Sequence, residues 1–145
     1  MTVSVERQLR RFLLATAAVT YLAAAVELLL VEHYEDVWQL APFGLIAVGL
    51  AAVAWVARAP GSQSVRALWV AGGLAVAGSV LGVVLHVKGN AAFALEIEPD
   101  LGLAAATWEG LSGGNPLLAP GMVALAGVLG AAAGWRHPAA DLGGR

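Results

Sequence analysis

The chain has 145 residues, 59% of them hydrophobic and only 12% charged, with a mean hydropathy of +0.77, far above that of a soluble domain of this size. It contains no cysteine, so disulfides, thiolate metal sites and thiol redox chemistry are excluded together. There is no phosphate loop, dinucleotide fingerprint, GxSxG motif or basic stripe, so the expected surroundings are a lipid bilayer and not nucleic acid.

Four apolar windows are each long enough to cross a bilayer core, which takes roughly 20 residues of helix. They lie at about 12–31, 37–57, 67–87 and 116–135, bracketed by Arg11, Asp36, Arg58, Arg66, Lys88 and Arg136. Backbone groups in lipid must be satisfied within the segment, and no period-two barrel pattern occurs. The expected fold is therefore an all-α membrane protein. It is a single domain, 1–145, forming a four-transmembrane-helix bundle with an ordered extracytoplasmic loop between the third and fourth helices.

The first window opens after Arg7, Arg10 and Arg11. With Ala23, Ala24 and Ala25 it has the outline of a secretory signal, but its apolar run continues through Leu28, Leu29 and Leu30. Thr16, Thr20, Glu27 and Tyr34 fall within about a 40° sector of a helix, which makes a polar stripe. A carboxylate at membrane depth costs roughly 2.5–3.5 kcal/mol on insertion scales, so Glu27 is expected to face the bundle interior. Its bland reading is a group that simply bonds a neighbouring helix.

Glu32, His33, Glu35 and Asp36 crowd the short connection to the second window, which makes the first two helices adjacent and antiparallel. Ala59-Pro60-Gly61-Ser62 is an ordinary turn. In the third window, Ser79 lies one heptad below His86, and Lys88-Gly89-Asn90 follows, with Gly89 expected to cap the helix and Asn90 to supply a polar rim. Residues 88–115 are too long for a mere linker. Within them Phe93–Glu98 alternates apolar and polar like a short extended segment. Pro99-Asp100 starts a helix through Leu111, stopped by Gly113-Gly114. This stretch is expected to be a lid, with Phe93, Leu95, Ile97 and Trp108 pointing down and Glu96 and Glu98 facing solvent. Asn115-Pro116 and Pro120-Gly121 mark entry to the fourth window, and His137-Pro138 reads as part of a frayed tail. Gly78-xxx-Gly82 and Gly130-xxx-Gly134 permit close helix packing, either within the monomer or in a homo-oligomer.

If the helices alternate, seven of the eight basic residues lie on one side, and the connections 32–36 and 88–115 carry the acids against a single Lys88. The positive-inside rule makes both termini cytoplasmic and both acidic loops extracytoplasmic, in the cytoplasmic membrane of a bacterium. The stretches VELLLVEHYEDVWQLAPF, LHVKGNAAFALEIEP and NPLLAPGM resemble a family of small, uncharacterised bacterial four-span integral membrane proteins, over Val26 to Met122. That resemblance implies the span count and neither an activity nor a site.

Two histidines from different helices, near carboxylates, suit a divalent transition metal, whereas the absence of Cys argues against copper(I). Glu27, His33 and His86 are the expected ligands, supported by Thr20, Tyr34, Glu35, Ser79 and Asn90. No HExxH or ExxH spacing occurs, and a lone interfacial histidine is ordinarily a solvated or capping residue. Haem between His33 and His86 is a variant of this reading. Two others remain: a non-enzymatic scaffold or small-molecule-binding bundle, and translocation of protons or cations past Glu27. Whether the chain is an enzyme is not decided by these residues.

Overall fold

The computed structural model describes residues 2–113 and 118–143. It is all-helical, and no strand occurs among the described residues. Helix α1 spans Thr2–Leu30, α2 Ala41–Arg58, α3 Ser62–Ile97, α4 Leu103–Ser112 and α5 Leu118–Gly134. A 3-10 turn, Val37–Leu40, precedes α2, and another, Pro138–Gly143, follows α5. Among the described residues three stretches are long and apolar enough to cross a membrane: Val5–Leu30, Val37–Arg58 and Ser62–Ile97.

The core is built from small residues. α1 turns Ala17, Tyr21, Ala24 and Leu28 inward at helical spacing, and all four are buried. Gly49 of α2 leaves the room that the Tyr21 ring occupies, because a Cβ there would collide with that ring. α3 and α5 run antiparallel with their backbones in contact. A Cβ on Gly72 would stand 2.7 Å from the Gly127 carbonyl oxygen, and one on Gly127 would stand 2.9 Å from that of Gly72. Gly82 meets Pro120 above this crossing, while Gly130 meets Leu68 and Gly134 meets Trp69 below it. Gly78 abuts Leu45 of α2. Both GxxxG pairs are thus spent on packing inside the chain.

The region expected to be a lid is built differently. α3 does not stop at Gly89 but runs on to Ile97, so its 36 residues extend about 54 Å, well beyond the roughly 30 Å of a hydrocarbon core. Phe93–Ile97 is helical, not extended. Six alternating residues are too few to separate the periods, and Ala91, Ala92, Ala94 and Leu95 are good helix formers. Pro99 ends the helix, since the residue before proline is pushed out of the helical region, and Glu98 has left it at φ −131°, ψ 84°.

α4 begins at Leu103, not Pro99, and folds back on the α3 extension. Asn90 Nδ2 donates to the Gly110 carbonyl at 3.1 Å, and a Cβ on Gly110 would stand 2.8 Å from the Val87 carbonyl oxygen. Asn90 is therefore an interhelical tie between α3 and α4 and not part of a polar rim to the site. Phe93, Ile97 and Trp108 do not point down: they are exposed, whereas Leu95 is only 37% exposed. Glu96 and Glu98 are exposed, as expected. Gly114, Asn115 and Pro116 lie outside the described residues.

The segment after α5 is not frayed. Arg136 sits at φ 47°, Arg10 donates to its carbonyl at 2.8 Å, and His137 Nδ1 accepts from the Ala139 amide at 3.1 Å. Ala139 is buried, and Ala140 packs on the core formed by Val56, Val65 and Leu68.

Candidate site: a histidine pair at one end of the bundle

His33 owes its position to the way α1 ends. Glu32 adopts a left-handed conformation, φ 54°, its amide donating to the Leu29 carbonyl at 3.2 Å while the His33 amide donates to that of Leu28 at 2.9 Å. This double closure is the Schellman termination, usually made with glycine at the left-handed position. It reverses the chain within a residue and turns His33 back over the end of α1.

The next residues are tied down by Gln39, whose Oε1 accepts from the amides of Glu35 (2.8 Å) and Asp36 (3.3 Å). Asp36 Oδ1 in turn accepts from the Trp38 amide at 3.1 Å. Gln39 has no place among the sequence-derived site residues, yet D-x-x-Q at 36–39 is the reciprocal capping pattern and was the available signal.

His86 comes from the body of α3. The two imidazoles meet with ring centroids 6.0 Å apart and planes inclined at 40°. Both residues are half-buried, at the end of the bundle opposite Arg10 and Arg136. The expected three-ligand site is not assembled. Among the described residues no three His, Asp or Glu side chains gather in a way that could hold a metal, so Glu27 does not join the two histidines. The reason is its azimuth on α1: Glu27 is only half-buried and borders an open groove formed by Val19, Leu22, Ala23, Val26 and Leu30, on the side of α1 that faces away from the core.

The supporting residues also disperse. Thr20 donates to the Thr16 carbonyl at 2.8 Å within its own helix, Tyr34 and Glu35 are exposed, and Asn90 belongs to the α3–α4 tie. Ser79, one heptad below His86, is 5% exposed, and its hydroxyl has no hydrogen-bond partner among the described residues.

Fold and site together define an all-helical protein with, among the described residues, three helices able to cross a membrane and an imidazole pair at the end remote from Arg10 and Arg136. No protein family, curated protein or solved structure matches this chain.

Proposed function

We propose that this is a four-span integral membrane protein whose His33–His86 pair binds one divalent transition metal at the extracytoplasmic end, the remaining positions being filled by water or an external ligand. The observation that carries the reading is the 6.0 Å approach of two rings from different helices. With a metal–nitrogen bond of about 2.0–2.1 Å, two imidazoles sharing one ion have ring centres roughly 5–6.4 Å apart, depending on the angle at the metal. Two protein ligands leave an open coordination sphere, as suits exchange, delivery or activation of a bound water more than a closed structural site.

The fourth crossing is α5. Its 17 residues span about 26 Å. It packs against both α1 and α3, burying Ala119, Val123, Ala126 and Gly130, which supports a crossing beside them. The arginines at the Arg10–Arg136 end favour a cytoplasmic placement for that end, with the histidines outside.

Elemental analysis of protein purified without added chelator tests the reading. About one transition-metal ion per chain is expected, falling sharply in His86→Ala. A Soret band would reassign the pair to haem. A metal-free protein that also fails to take up zinc, nickel or copper(II) leaves the bundle as a scaffold, with His86→Ala changing thermal stability alone.

A further inference from the structure

All five tryptophans of the chain are exposed, and they stand at two levels. Trp55, Trp69 and Trp135 lie toward the end that holds Arg10 and Arg136, the Trp69 indole Nε1 donating to the Ala131 carbonyl at 3.3 Å. Trp38 lies at the other end, in the 3-10 turn before α2, and Trp108 lies in α4. Gly110 packs on Val87 and Ala91, which sets Trp108, half a turn away, close to the level of Lys88. At 1.5 Å per residue the two levels are about 26 Å apart along α2, from Trp38 to Trp55, and about 29 Å apart along α3, from Trp69 to Lys88.

Between these levels the exposed large side chains are aliphatic, as at Val19, Leu22, Val48, Leu74, Leu81 and Val128. α3 carries no charge from Ala67 to Val87, whereas beyond Lys88 the charges return, with Glu96, Glu98 and Asp100 all exposed. On α4 the buried residues, Ala106 and Gly110, face α3. Ala104, Trp108 and Leu111 are exposed and recur at helical spacing on the opposite side.

We infer that this outward side of α4 is an anchor in the headgroup layer of the outer leaflet, with Trp108 at its centre, and that α3 leaves the hydrocarbon near Lys88. The spacing says what covers it. Two levels of exposed tryptophan, separated by close to the roughly 30 Å of a hydrocarbon core and by aliphatic side chains alone, coincide with the two boundaries of the bilayer. An indole settles there because its ring is apolar and its N–H stays wet. Asn90 and Gly110 fasten α4 to α3 at that level, so lipid headgroups lie against its free side without any second protein. The acids of the α3 extension then stand in water, where their exposure costs nothing. This anchor requires the helices to span the bilayer and is independent of metal at the histidines.

The chain lacks cysteine, so a nitrobenzoxadiazole label on a single cysteine reports one position. Full-length Ala104→Cys, Leu111→Cys, Val80→Cys and Glu96→Cys are labelled and reconstituted in phosphatidylcholine vesicles whose acyl chains are brominated either near the headgroup or near the chain ends. Labels at 104 and 111 should be quenched about twofold more by the headgroup-proximal bromines, and the label at 80, in mid-span, more by the chain-end bromines. The label at 96 should answer only to aqueous iodide. Trp108→Ala in the Leu111→Cys chain should raise iodide quenching about twofold. Labels at 104 and 111 that only iodide reaches, that no quencher reaches because protein covers them, or that the chain-end bromines quench best overturn the anchor. So does iodide quenching indifferent to Trp108→Ala. If the label at 80 escapes the chain-end bromines, the spanning reading itself falls and the anchor falls with it.

Discussion

At the scale of single residues, two positions hold conformations or groups that the chain would be more stable without. Glu32 carries a side chain in the left-handed region, where the Cβ costs roughly 1–2 kcal/mol and glycine is free of that penalty. Part of the gain is returned as extra entropy of the unfolded chain. Glu32→Gly should therefore raise the thermal midpoint by an amount equivalent to about 0.5–1 kcal/mol while leaving His33 in place. Ser79 keeps a buried hydroxyl with no hydrogen-bond partner among the described residues, and such a group costs about 1 kcal/mol or more. Ser79→Ala should be neutral or stabilising in a thermal melt. A clear loss of stability would mean that the hydroxyl is bonded in the folded protein.

At the scale of elements, the α3–α5 crossing is set by backbone contact. Gly127→Ala would drive its methyl against the Gly72 carbonyl oxygen and the Ala75 Cβ, and should cost about 1–3 kcal/mol. Gly73→Ala, with nothing within 4 Å of the new methyl, should gain up to about 1 kcal/mol of helix propensity. Thermal melts in one detergent compare the pair directly.

The helices themselves were legible because a bilayer leaves the backbone so few options: the first three apolar windows correspond to α1, α2 and α3. What was not legible depended on contacts. Gly89 reads as a stop only if nothing supports the helix beyond it, and α4 supplies that support through Asn90 and Gly110. His33 and His86 read as neighbours because each ends an apolar run on the same side. The azimuth of Glu27 depends on which face of α1 the other helices take. That face was set by Ala17, Tyr21, Ala24 and Leu28, whose small or ring-shaped complements on α2 and α5 no periodicity reveals.

At the scale of the whole molecule, the two ends of the bundle do different things. At the arginine end, the segment after α5 folds back over the start of α3. His137 Nδ1 accepts a backbone hydrogen bond there, and partial burial, then the nearby Arg10 charge, hold its pKa below the ordinary histidine value. A depressed histidine pKa means that the undocked tail binds protons more readily. Docking is thus fully favoured above about pH 6.5 and weakens as pH falls through the docked-state pKa. Hydrogen exchange at the Ala139 and Ala140 amides, corrected for intrinsic rates, should lose protection between pH 7.5 and 5. His137→Asn, which keeps an acceptor but does not titrate, should remove that dependence.

At the opposite end stands the imidazole pair, on which the functional reading depends. Calorimetric titration of zinc into the metal-free protein in detergent at pH 7.5 tests it most directly, with His33→Ala, His86→Ala and the double variant beside the wild type. The expected result is one ion per chain, bound at least tenfold more weakly after loss of either histidine, little further change in the double variant, and no change in Glu27→Gln. Zinc binding that survives in the double variant, or that disappears with Glu27→Gln while both histidines remain, would contradict the account.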